Sequence, residues 1–235
     1  MSQLPTLLRA LDVTPELRAQ LPQPEHATRF WWIRHARVPE VMERMYGSLD
    51  LDCDTSDTAL FSAIAARLPA NAAWVTSPLK RTRQTADALI AAGAPEPMLI
   101  SEDADIAEMD FGDYNGMTHA ELFSSRKGDP FLGFWPMSPH DLAPNGESFT
   151  LLRDRVQQFI NRTIVAMPRG DVVCVAHRGS ILAALQIALD LPLTTSVAFS
   201  VGNVSVTQLV HHGDARAGGP RWRVEETGWL PHTGQ

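Results

Sequence analysis

The stretch VVCVAHRGSILAALQIAL, Val172–Leu189, decides the architecture. Its first five residues are apolar and mostly β-branched, the composition of a strand buried on both faces. The polar group His177-Arg178-Gly179-Ser180 follows, and from Ile181 to Leu189 the apolar residues recur at helical spacing. Upstream the pattern repeats. Phe30–Ile33 runs into Arg34-His35, and Ala73–Thr76 runs into Ser77-Pro78-Leu79-Lys80-Arg81 and a helical stretch over Leu79–Ala92. Strands are also expected at Met98–Ile100 and Val204–Val210, and helices at Ala59–Leu68 and Phe149–Met167. Strand and helix in alternation predict an α/β fold, a sheet with helices on both faces.

Residues 1–28 read as a separate helical extension and linker, a Leu-bearing amphipathic stretch closed by the Pro-rich LPQPEH. The domain proper is expected over residues 29–235. Within it, residues 123–148 are rich in Pro, Gly, Ser and aromatics without a clear period, which predicts a long functional loop or cap.

Composition narrows the partners. The 235 residues include 44% hydrophobic and 20% charged residues, which excludes a disordered or fibrous chain. Lys and Arg number 20 against 27 Asp and Glu, a net charge of −7 that argues against nucleic acid and anionic membrane as partners. An anionic ligand must therefore be drawn in by a local cluster of positive charge. Cys53 and Cys174 are too few for a disulfide framework. Arg9, Asp12 and Glu16 interrupt anything like a signal peptide, and no apolar run approaches the roughly 18 residues of a membrane span. A cytoplasmic, soluble protein is expected, with its oligomeric state, a homodimer included, left open.

Ligands of open α/β sheets bind beyond the carboxyl ends of the strands, so polar residues placed there can meet although distant in sequence. Arg34, His35, Arg81 and His177 all follow strands. A lone histidine at a strand end is more often structural than catalytic, and a lone arginine more often pairs with a carboxylate; the coincidence after separate strands favours one shared pocket. Ser77 and Pro78 suit the N-cap and first position of a helix whose free amides attract anions. Arg81 lies one turn in and can lean over the same spot, whereas Arg83 points elsewhere and is expected in solvent; Thr82 and Gln84 suit capping or packing.

Phosphoryl transfer would use such a set: cations around the equatorial oxygens, an in-line nucleophile, and an acid for the leaving oxygen. His35 can be the nucleophile if its other ring N–H is held by an acceptor, with Arg34, Arg81 and His177 gripping the phosphate. Glu108, beside apolar Ile106, Met109 and Phe111, is the candidate acid, because desolvation there would raise its pKa. Asp110 and Asp113 are the nearby alternatives, and a solvated loop carboxylate is the plain one.

Arg34-His35, SPLKRTRQTA (77–86), EMDFGDYNG (108–116), PNGES (144–148) and VCVAHRGS (173–180), in this order, resemble the histidine phosphatase superfamily, also called phosphoglycerate mutase-like. The resemblance spans Arg29 to about Glu226. It implies a three-layer α/β sandwich around a central, mostly parallel mixed sheet, and a phosphohistidine intermediate formed without metal or cofactor. Carried over by position, His35 matches the nucleophile, Arg34 and Arg81 the phosphate-binding arginines, His177 the second pocket histidine and Glu108 the proton donor. The phosphatase branch fits best, with a small phosphorylated metabolite as substrate. A phosphoglycerate mutase-like phosphotransferase and a weakly active phosphate-binding or regulatory protein are the competing functions.

Two departures stand out. Ala36 occupies a position the family usually fills with glycine, tolerable only if its φ is negative. Arg178 and Arg37 replace smaller residues and hint at a polyanionic substrate, or else point to solvent. Phe131, Phe134, Trp135 and Met137 in the cap can pack an apolar part of the ligand or anchor the loop; Trp31 and Trp32 read as core and interface packing. Asp50–Asp54 imitates the start of a calcium loop but lacks its glycine and closing glutamate. His211-His212 has no spaced metal partners. Asn161-Arg162-Thr163 and Asn203-Val204-Ser205 match the glycosylation pattern by chance.

Overall fold

A computed structural model describes residues 27–41, 43–131, 133–213 and 221–231. The expected helical extension and linker lie, apart from Ala27 and Thr28, outside the described residues. One mixed sheet of six strands forms the centre: β1 (Thr28–Arg34), β2 (Ala73–Thr76), β3 (Leu99–Glu102), β4 (Gly170–Ala176), β5 (Val206–His211) and β6 (Trp222–Trp229). Their order is β3-β2-β4-β1-β5-β6. β1 and β2 both run parallel to β4, and β3 parallel to β2, while β5 is antiparallel to β1 and β6 to β5.

The helices are α1 (Thr58–Ala65), α2 (Lys80–Ala91), α3 (His119–Ser125), α4 (Phe149–Ala166), α5 (Arg178–Leu189) and the short α6 (Leu193–Ser196). Alternation along β4 separates two cores. Val172, Cys174 and Ala176 pack with Leu152, Val156 and Phe159 of α4 and Ile181 and Leu185 of α5. Val173 and Val175 face Phe61 and Ile64 of α1 and Ala86 and Leu89 of α2. Covering both faces explains why β4 reads as an unbroken apolar run. Trp32 is fully buried, and half-buried Trp31 donates its indole N–H to Asp171.

Several sequence expectations shift. β3 begins one residue after Met98 and runs on through Ser101 and Glu102, because this edge strand pairs only with β2 and leaves Met98 and Leu99 largely exposed. β6 escapes the sequence because it is a half-exposed edge carrying Arg223, Glu225 and Glu226. α3 buries only Leu122, so its apolar period is faint; the Thr118-x-x-Glu121 capping box was the available signal. The expected cap at 123–148 thus starts inside α3.

α2 corrects a further expectation. Ser77 is not its N-cap: Leu79 is extended (φ −76°, ψ 123°) and the helix starts at Lys80. The Ser77 hydroxyl instead closes a local turn by accepting the Leu79 amide at 3.2 Å, and the first helical amide, Lys80 N–H, donates to Asp50 Oδ1 at 2.8 Å. That helix end is already occupied by a carboxylate of the protein itself.

The loop carrying Glu108 is locked against the segment before α4. Asp113 N–H donates to Pro144 O (2.9 Å) and Glu147 N–H to Asp110 O (2.8 Å). Gly112, at φ +52°, lies so close that a Cβ there would meet Pro144 O at 1.9 Å, whereas Gly116, at φ +88°, has nothing within 4 Å. Gly112→Ala is expected to lower the urea unfolding free energy by at least about 2 kcal/mol, and Gly116→Ala by about 1 kcal/mol from backbone strain alone. Equal losses in the two variants would show that the close approach carries no weight.

Candidate active site

The carboxyl ends of three adjacent parallel strands form the floor. β1 ends at Arg34 with His35 next, β4 at Ala176 with His177 next, and β2 at Thr76 with Ser77 next. His35 N–H donates to Ala176 O at 2.9 Å, which fixes the two strand ends side by side. His35 and His177 are both buried, their rings 5.1 Å apart between centroids. His35 Nδ1 lies 2.6 Å from Ala36 O. A carbonyl only accepts, so Nδ1 carries the proton and the Nε2 lone pair is free. His177 Nε2 meets Ser77 Oγ at 2.7 Å, and its Nδ1 has no hydrogen-bond partner among the described residues.

A strained turn holds this floor from the β5 side. Asn203 Nδ2 donates to His35 O at 2.9 Å, and Val204 N–H to Arg34 O at 2.9 Å. Val204 sits at φ +59°, a conformation that costs a β-branched residue about 1–3 kcal/mol. In the sequence Asn203 stands out only as a chance glycosylation match. Ala36 does not share that strain: it is absent from the positive-φ residues, and its N–H donates to Thr85 Oγ1 at 2.8 Å. Its methyl is therefore accommodated.

Two guanidiniums flank the imidazoles, each tied to main-chain carbonyls. Arg34 Nη1 donates to Val201 O (2.7 Å); Arg81, fully buried, donates to Leu49 O (2.6 Å) and Gly47 O (2.7 Å). The Nε of each is buried without a partner among the described residues. Burial first, then the charges of Arg81 and Arg34, holds the His35 pKa well below the ordinary imidazole value. For His177 the same burial acts, reinforced by Arg81 and His35. Both rings are neutral at physiological pH. Arg83, by contrast, is exposed and pairs with Asp87, while the Thr82 hydroxyl hydrogen-bonds that of Ser77 and Gln84 Oε1 accepts the Cys53 amide.

Glu108 reaches the site from the loop after β3. Its Oε1 accepts the amides of Met109 (3.0 Å) and Gly179 (3.1 Å), so the helix end that meets a carboxyl group in this site is that of α5. A Cβ on Gly179 would stand 2.3 Å from Glu108 Oε1, so any side chain there would shift that carboxyl group. Arg155 of α4, which no motif in the sequence marks, braces the loop. It donates to the carbonyls of Asp105 (2.9 Å), Ala107 (2.8 Å) and Glu108 (3.0 Å), while Glu147 grips it with both carboxylate oxygens at 2.9 Å. Asp110 is consumed by Ser48, Gly112 and Asn115, and exposed Asp113 by Asn145. Of the three candidate carboxylates, Glu108 is the one lining the cavity.

That cavity, of about 340 Å³, is walled by Arg34, Tyr46, Glu108, Trp135, Arg178 and Asn203, with Arg37 and Arg44 also contributing. The imidazoles lie beyond its wall, His35 edge-on to Tyr46 at 6.2 Å. Arg178 is not a solvent residue: its guanidinium lies 5.2 Å over Trp135 and donates to Phe134 O at 2.8 Å. In the cap, Trp135 and Met137 are buried anchors, whereas Phe134 is exposed. Among the described residues no three His, Cys, Asp or Glu side chains gather to hold a metal ion. Asp50, Asp52 and Asp54 instead serve Lys80, Gln84 and Ser56. No helix of the described residues is long and apolar enough to cross a membrane.

A bifunctional protein of Mycobacterium tuberculosis (strain ATCC 25618 / H37Rv) is 31% identical over 168 residues, 69% of this chain, so the match spans 44% of that relative's length. The glucosyl-3-phosphoglycerate phosphatase of Mycolicibacterium vanbaalenii is 31% identical over 217 residues, 84% of this chain and 92% of the relative. The native structure of a mycobacterial glucosyl-3-phosphoglycerate phosphatase superposes with a TM-score of 0.70 at 27% identity, covering 86% of this chain and 99% of that one. Residues 30–218 match the family described as Histidine phosphatase superfamily (branch 1), and with the fold in agreement this chain belongs to that superfamily.

Proposed function

We propose that this chain is a phosphomonoesterase that passes the phosphoryl group of a small metabolite to His35 and then to water, with no cofactor. The observation that carries the reading is the tautomer of His35: Nδ1 is tied to Ala36 O and the ring is kept neutral, so the lone pair of Nε2 is available as a nucleophile. Arg34 and Arg81 supply positive charge, and His177 Nδ1 is a buried ring nitrogen without a hydrogen-bond partner among the described residues.

Electron flow in this reading is simple. Nε2 of His35 attacks phosphorus, the bond from phosphorus to the ester oxygen breaks, and that oxygen takes a proton from the Glu108 carboxylic acid. Water then attacks the phosphohistidine and gives its proton to the Glu108 carboxylate. The P–N bond breaks, its electrons return to Nε2, and inorganic phosphate leaves.

In buffer containing a chelator, purified protein is expected to release phosphate from p-nitrophenyl phosphate, and His35→Ala to lose on the order of a thousandfold of that rate. Unchanged turnover in His35→Ala would remove the nucleophile and with it the whole scheme.

Glu108 is tested by leaving groups. Glu108→Gln should slow alkyl phosphates, whose alkoxides need the proton, far more than p-nitrophenyl phosphate. Gly179→Ala should reproduce that bias in milder form, because its Cβ would displace Glu108 Oε1. An equal loss for good and poor leaving groups would assign Glu108 a role other than acid.

The buried imidazoles also set a pH dependence. Above about pH 6.5 both are neutral in the folded and unfolded states and contribute nothing; below it the unfolded chain gains protons that the native rings refuse. Stability is therefore lost on acidification, by up to about 1.4 kcal/mol per pH unit per histidine. Urea midpoints between pH 7 and pH 5 should fall, and His177→Gln should flatten the fall; an unchanged slope would mean that the ring titrates normally.

A further inference from the structure

Beside the catalytic cavity lies a second recess of about 230 Å³, walled by Leu122, Phe123, Phe134, Trp135, Pro136 and Met45. The two share Met45, His119, Trp135, Pro136 and Arg178, so whatever fills the recess lies against whatever fills the cavity. Its walls differ in burial. Leu122, Trp135 and Met45 belong to the core, but Phe123 is 42% exposed and Phe134 58% exposed. Apolar rings left in water around a concave site mark a binding surface rather than packing.

The junction is built. Arg178 stands in both walls, held over the Trp135 indole and bonded to the carbonyl of Phe134, which fixes the residue carrying the most exposed ring. His119, one turn before Phe123 on α3, packs its ring 6.2 Å from that of Phe123 on the same side of the recess. The charge is divided between the two spaces: Arg34, Arg37, Arg44 and Glu108 line the cavity only, and Phe123 and Phe134 line the recess only.

Resting on the phosphomonoesterase reading above, we propose that the recess is the leaving-group site and that the substrate's alcohol carries a flat apolar ring, seated between Phe123, Phe134 and Trp135 while the phosphate faces the guanidiniums. A bare sugar or a short polyol would leave both phenyl rings in water. A ring on the alcohol removes them from it, so recognition of the alcohol is apolar and that of the phosphate electrostatic.

The test uses two non-hydrolysable probes, ethylphosphonate and 2-phenylethylphosphonate, titrated calorimetrically into the full chain. The ring-bearing probe is expected to bind at least about tenfold more tightly, as burial of a phenylalanine-sized ring implies. Phe134→Ala and Phe123→Ala should each cut that ratio to about threefold or less. Val165→Ala, at an exposed apolar residue of α4 away from the site, should keep the wild-type ratio. Equal affinity for the two probes, binding of neither, or a ratio that survives both Phe variants overturns the proposal. Because phosphonates are not turned over, a retained ratio alongside no hydrolysis of 2-phenylethyl phosphate would sink the catalytic reading and leave the recess standing.

Discussion

The burial of Arg81 is the constraint from which the site follows. A guanidinium taken fully out of water is expensive unless its donors are satisfied, and here two of its nitrogens are met by the carbonyls of Gly47 and Leu49. Carbonyl dipoles satisfy the hydrogen bonds without cancelling the charge. The remaining field is felt by both histidines, whose pKa values it helps to depress. A carboxylate in place of those carbonyls would have quenched the field and let the rings titrate nearer their ordinary range. A chain with a net charge of −7 thus concentrates positive potential in one buried place.

The imidazole floor and the Glu108 carboxyl group are supported differently. His35 and His177 are positioned by sheet register, because parallel strands β1 and β4 end level, Arg34 opposite Ala176. Glu108 has no strand beneath it. Its loop is irregular and is held by Arg155 of α4 and by Glu147 just before that helix. One guanidinium there collects carbonyls from Asp105, Ala107 and Glu108 that would otherwise go unpaired. The brace therefore ties the loop backbone to α4 as the ladder ties the strands to one another.

This difference in support also decides what could be read from the sequence. β1, β2 and β4 announce themselves by apolar runs buried on two faces, and the residues after them are identifiable because the end of an apolar run is a sharp signal. Glu108 was recognisable by motif, and its neighbours Ile106, Met109 and Phe111 are indeed buried. Arg155 and Asn203 gave no comparable sign: each acts on main-chain atoms far away in sequence, and only the fold brings those atoms near. β6 and α3 were missed for the converse reason, since elements that bury little carry little apolar period. The Ser77 N-cap failed because a hydroxyl beside a buried imidazole has a stronger claim on its hydrogen bonds than a helix end that Asp50 can reach.

The first turn of α5 shows how closely these demands are interleaved. His177 turns inward to Ser77, and its own amide donates to Ser180 Oγ at 3.2 Å. Arg178 turns outward to the cap and the recess. Gly179 presents its amide to Glu108, and a Cβ there would push Glu108 Oε1 aside. His177 is the extended N-cap, so its side chain leaves the helix toward the imidazole floor, while Arg178 opens the helix on the outer wall and Gly179 offers a first-turn amide that has no intrahelical acceptor. In the proposed reaction, with the Gly179 amide committed to Glu108, a phosphate would be met by the side chains of Arg34 and Arg81 rather than by a cradle of backbone amides.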